Sequence, residues 1–115
     1  MNKLYEDILF VVQHSRCKEV EDGCYEFKLI DDGELLDQFS GNKFYVQIGA
    51  EINEWVDKLW VNQSVFRCLN GEIMLVSHTD GTCDDDNFQA TKQMAIKELA
   101  SYLYYILKKG KENEE

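Results

Sequence analysis

Two histidines and four cysteines are the side chains in this 115-residue chain with which metal binding or nucleophilic attack would start. His14 and Cys17 lie close together, and Cys24 follows in the next turn. A structural zinc site needs ligands paired at short spacing, as in two Cys-x-x-Cys knuckles. This chain has no such pair, and Cys24 and Cys68 fall where strands place core side chains. The cysteines are therefore expected to be packed thiols, with no metal and no cofactor. A nucleophile needs a base beside it. His78, Asp80 and Cys83 are the one local cluster of suitable types, but proximity in sequence does not supply triad geometry. Asp80, Asp84, Asp85 and Asp86 lack the glycine and terminal glutamate of a calcium loop. Gly71, Gly81 and Gly110 each have a turn or cap explanation rather than a phosphate-loop one. The expectation is a protein that is not an enzyme.

The carboxylates carry more information. Residues 19–38 hold Glu19, Glu21, Asp22, Glu26, Asp31, Asp32, Glu34 and Asp37 against the single Lys28, a net −7 of the chain's −10. Smaller acidic groups follow at Glu51, Glu54 and Asp57 and at 80–86. Like charges concentrated on a rigid surface repel one another, and an opposing basic surface relieves that cost.

The elements that would position these groups follow from periodicity. Residues 2–15 read as a helix capped by Asn2, with Leu4, Ile8, Val11 and Val12 on one face and Phe10 off it. Residues 18–23 read as a charged turn, and 25–30 as a strand with Tyr25, Phe27 and Leu29 on one side. Asp31-Asp32-Gly33 reads as a hairpin turn into a second strand over 34–39, and Ser40-Gly41-Asn42 as a turn into a third over 44–48. Ile52, Trp55, Val56, Leu59 and Trp60 match helical spacing and predict a short helix over 53–61. Asn70-Gly71 joins strands over 65–69 and 73–77 as a hairpin, followed by a polar loop from His78 to Asp85.

The longest element is predicted over 86–109. Asp86 is its N-cap with Gln89 as capping-box partner, and Gly110 is its stop. Phe88, Ala95, Leu99, Tyr102, Leu103 and Ile106 form the core stripe, Met94, Ser101 and Tyr105 a secondary stripe, and Tyr104 points nearly opposite the core. Exposed aromatics suit an interface, so Tyr104 and Tyr105 join the eight carboxylates as candidate partner-binding residues.

The expected fold is therefore α+β: a single antiparallel sheet of about five strands, packed by an N-terminal and a long C-terminal helix in the order α-β-β-β-α-β-β-α. At 13.4 kDa the chain holds one core, so 1–110 is expected to be one domain and 111–115 a disordered acidic tail. The absence of proline removes rigid linkers. The apolar run 8–12 is too short to span a membrane and has no signal-peptide cleavage region, which predicts a cytoplasmic protein with reduced thiols.

A net charge of −10 repels nucleic acid and anionic membranes and steers towards a basic protein partner: a nuclease, a toxin or a nucleic-acid-binding effector. The first functional expectation is a non-catalytic acidic inhibitor that mimics nucleic acid on such a partner, as immunity proteins and phage anti-defence (anti-CRISPR) proteins do. The predicted element order and acidity also resemble type III secretion chaperones. That resemblance implies a small dimeric protein binding an effector segment through apolar grooves and β-augmentation.

Overall fold

The computed structural model describes residues 2–30, 33–39, 41–53, 55, 58–84 and 88–113. Helix α1 spans Lys3–His14. The Asn2 side chain caps it by accepting the Tyr5 N–H at 3.2 Å, and its Ile8 and Val12 are buried while Phe10 is exposed. Ser15 ends the helix. Its hydroxyl donates to the Val11 carbonyl (2.7 Å) and accepts the Ile30 N–H (3.0 Å), fastening the helix end to the sheet.

Five antiparallel strands follow as a meander in spatial order β1-β2-β3-β4-β5. They are β1 (Arg16–Glu21), β2 (Cys24–Lys28), β3 (Lys43–Asn53), β4 (Lys58–Leu69) and β5 (Glu72–Cys83). Helix α2 (Lys92–Asn113) closes the chain. The order is α-β-β-β-β-β-α, an α+β fold as expected, but the bounds and types of five segments are corrected, as is the facing of Tyr104.

The charged turn over 18–23 is strand β1, with only Asp22-Gly23 turning. The strand over 34–39 is absent. That segment is a loop with a short 3-10 turn at Asp37–Phe39, and it drops Leu36 and Phe39 into the core. The short helix over 53–61 is a hairpin in which Asn53 pairs with Lys58. Ile52 is 73% exposed and Trp55 95% exposed, so these two members of the expected helical stripe are not buried, and Val56 lies outside the described residues. The polar loop from His78 belongs to β5 as far as Cys83. Finally, α2 starts at Lys92, where the Thr91 hydroxyl caps it by accepting the Met94 N–H (3.2 Å), and continues through Gly110 instead of stopping there. Residues 85–87, including the expected cap Asp86, and the turn residues Asp31 and Asp32 lie outside the described residues, as do Glu114 and Glu115.

One face of the sheet presents Phe27, Phe44, Val46, Ile48 and Val65 to the helices. From α2 come Ala95, Ile96, Leu99, Ala100 and Leu103, all buried. Ile96 and Ala100 fall outside the predicted stripe. They are buried because α1 packs antiparallel beside α2 and covers a second side of it. Tyr104 is corrected for the same reason. Far from facing away, it packs on the core, meets the Tyr5 ring edge-on at 6.0 Å and hydrogen-bonds the Asn2 side chain. Tyr105 is exposed. Since the element order differs from the predicted one, it no longer carries the likeness to secretion chaperones.

Candidate functional site

Side chains alternate along each strand, so the register of the sheet fixes what its uncovered face presents. Phe27 and Phe44 point to the helices, which leaves Lys28 and Lys43 on the open face. The same alternation places Glu26, Tyr45 and Phe66 there in one row, and Cys24, Gln47, Ser64 and His78 in the next. Further along lie Asp80 beside Asn62, and Glu51 beside Trp60.

Charge is polarised along the strands. At one end Glu21 and Asp22 form the tip of the β1–β2 hairpin, and Glu51, Asp80 and Asp84 end β3 and β5. Lys58 also lies here, and its ammonium sits 3.2 Å from Asp84. At the other end Arg16, Lys28 and Lys43 occupy one row across three strands. Lys43 and Glu51 are eight residues apart on β3, roughly 26 Å at about 3.3 Å per residue.

This splits the carboxylates that are contiguous in sequence. Glu19, Glu21 and Asp22 stay together on β1 and its turn. Glu26 points to the open face, where its carboxylate accepts the Tyr45 hydroxyl; that bond, with burial and the adjacent charge, pushes the Tyr45 phenol up. Burial first, then the neighbouring Glu19 carboxylate, pushes the Tyr25 phenol up. The Tyr25 hydroxyl also reaches the Ala90 carbonyl at 3.4 Å, tying the approach to α2 onto β2. Glu34 and Asp37 ride on the β2–β3 connection, at the end of the sheet opposite Asp22. Buried Leu36 and Phe39 turn that connection towards the helix-covered side. Asp31, Asp32, Glu54, Asp57, Asp85 and Asp86 are outside the described residues.

Comparison with protein-family models, curated proteins and solved structures found no match for this chain.

The sequence cluster His78–Asp80–Cys83 is divided by the sheet. His78 and Asp80 share the open face, whereas Cys83 is an odd number of residues away and faces the helices. Register supplies a different third member. His78 Nδ1 lies 2.9 Å from Ser64 Oγ, and its Nε2 lies 2.8 Å from Asp80 Oδ1. This is the nucleophile–base–carboxylate order of an acyl-transfer relay. It lacks what makes such a relay productive. Ser64 is in β4, paired on both sides, so the neighbouring backbone N–H groups are committed to the ladders instead of aimed at a developing oxyanion. The group reads as a cross-strand polar network. A fluorophosphonate probe is accordingly expected to leave Ser64 unmodified in intact-mass spectrometry. A stoichiometric adduct that disappears in both Ser64→Ala and His78→Ala would contradict this.

The cysteines point the same way. Burial, before any nearby charge, pushes the Cys17 and Cys24 thiols up, the reverse of an activated nucleophile, and Glu21 and Glu26 add to the effect at Cys24. Among the described residues, no group of three or more His, Cys, Asp or Glu side chains is placed to hold a metal, and no helix is long and apolar enough to cross a membrane.

Proposed function

We propose that this is a non-catalytic binding protein whose acidic sheet end docks on a basic surface of a partner protein. One observation carries the reading: the fold draws Glu21, Asp22, Glu51, Asp80 and Asp84 from three strands to one end, where Lys58 is already paired to Asp84. Carboxylates so placed can accept the Arg and Lys donors of a nuclease, toxin or nucleic-acid-binding effector in the positions that phosphates would take. The docking surface is thus narrower than the sequence suggests. Glu19 sits beside it, Glu26 is engaged by Tyr45, and Glu34 and Asp37 belong to the far end.

A second reading is favoured by β5. It is a twelve-residue edge strand with exposed Ile73, Met74 and Leu75, a ready template for strand addition by an effector segment or by a second copy of the chain.

The two readings separate in one experiment. Glu21→Lys, Asp22→Lys and Glu51→Lys combined should keep the melting temperature near that of wild type, because all three side chains are exposed. They should also sharply reduce, at low salt, retention of the basic proteins that the wild type captures from lysate. Undiminished capture by this variant, together with loss in Met74→Lys/Leu75→Lys, would reject the acidic-end reading in favour of the β5 edge.

A further inference from the structure

We propose that the opposite end of the open sheet face binds a small multivalent anion, a di- or triphosphate group, on the row Arg16–Lys28–Lys43 with Lys18 beside it. The register puts Arg16 directly opposite Lys28, and Lys28 directly opposite Lys43. Like charges in directly opposed cross-strand positions destabilise a sheet. A chain with 22 acidic residues and 12 basic ones nonetheless places three cations in a single row and a fourth two residues along β1. Among the described residues no carboxylate lies within ion-pair distance of any of the four. The one acid lining this hollow, Glu26, stands opposite Lys18 in the β1–β2 register and beside Tyr45. Glu34 and Asp37 are exposed on the β2–β3 connection at the same end, and neither is within ion-pair distance of the row. The cations also frame a concavity of about 330 Å³ lined by Arg16, Cys17, Lys18, Glu26, Lys28 and Lys43. Among the described residues the hollow is lined by four cations and one carboxylate, a net +3, and such a field around a shallow hollow fits an external anion.

Size and field select its class. Neighbouring strands lie about 4.8 Å apart, so the row spans roughly 10 Å, more than one phosphate needs and within reach of a short phosphate chain. Arg16 can supply a bidentate fork, and the lysines point charges. A long polyanion such as nucleic acid would also meet the rest of a −10 surface, which disfavours it. At about 0.1 M salt the Debye length is about 10 Å, so the four cations act together on a small ligand while distant carboxylates are screened. This site lies at the other end of the sheet from the acidic docking surface and does not depend on it.

The test is calorimetric titration of the full chain with inorganic triphosphate and, in parallel, with ATP. Both should bind saturably, and Lys28→Gln/Lys43→Gln should weaken binding about tenfold or more. Lys108→Gln/Lys109→Gln, which removes two exposed cations at the far end of α2, should leave binding unchanged. Tighter binding of ATP than of triphosphate would add a nucleoside contact to the same phosphate site. The Lys28/Lys43 variant without ligand should melt no lower than wild type, since cross-strand repulsion is relieved. Absence of saturable binding, equal weakening in both double variants, or undiminished binding by Lys28→Gln/Lys43→Gln would overturn the site, and a lower melting temperature would overturn the repulsion on which it rests.

Discussion

Phe44→Ala is expected to lower the unfolding free energy by about 3–5 kcal/mol, a large share of the roughly 5–15 kcal/mol that keeps a domain folded. Phe44 is fully buried at the centre of the sheet. Its ring meets Phe39 from the β2–β3 loop at 6.0 Å and Tyr102 from α2 at 6.4 Å, so three chain segments lose a common contact when it is removed. Ile52→Ala on the same strand should cost no more than about 0.5 kcal/mol, because that side chain is 73% exposed. Urea unfolding of both variants checks the pair. Comparable losses would mean that the hairpin over 43–69 is wrong and that residues 52–60 bury a helical face after all.

Gly23→Ala should be the most damaging change in any turn of the described residues. Gly23 has φ +79°, a conformation costing about 1–2 kcal/mol for a residue with a Cβ. That Cβ would also stand 2.5 Å from the Ile48 carbonyl oxygen, which is backbone and cannot swing aside. Relief requires moving β3 away from the hairpin tip, which breaks the 2.8 Å bond from the Ile48 N–H to the Gly23 carbonyl. Together these amount to roughly 2–4 kcal/mol. Gly71→Ala is the control, with φ +83° but open space around its Cβ, so it should incur the conformational cost alone. Unfolding midpoints that are equal for the two variants would contradict the contact with Ile48. The comparison also bears on function, because Gly23 holds Asp22 and Glu21 at the same end as Glu51.

What was legible in the sequence was local. Asn2 as cap, the alternation of Tyr25, Phe27 and Leu29, and the Asn70-Gly71 turn each act within a few residues, and each appears in the fold as expected. Strand β1 was hidden because an edge strand that is exposed on nearly every residue shows no alternation. The 52–60 segment imitated a helix because Leu59 and Val61 point to the helix-covered face while Trp60 points to the open one. Apolar residues on both faces of a strand then fall at i, i+3 and i+4 by coincidence, and only the β-branched and aromatic content argued for the strand.

The charge pattern was the least legible feature. Of the carboxylates contiguous in sequence, the described ones are separated because β2 runs from the hairpin tip to the opposite end of the sheet: Glu19, Glu21 and Asp22 stay at the tip side, Glu26 lies along β2, and Glu34 and Asp37 follow at the far end. Conversely, Arg16, Lys28 and Lys43 are twelve and fifteen residues apart, and only the register of three strands aligns them. The same holds for Ser64 and His78. Tyr104 could not be placed from periodicity, since the partner that buries it, Tyr5, is about a hundred residues away on α1.

The most direct test of the acidic-end reading is the association rate with a captured basic partner, measured against ionic strength for wild type and for the Glu21→Lys/Asp22→Lys/Glu51→Lys variant. Clustered charge accelerates encounter more than it holds a complex, and the Debye length falls from about 10 Å at 0.1 M to about 3 Å at 1 M. The wild-type rate should therefore fall steeply with salt. The variant should associate at least about tenfold more slowly at low salt and converge on the wild type at high salt. A wild-type rate indifferent to salt, matched by the variant at every ionic strength, would contradict the account.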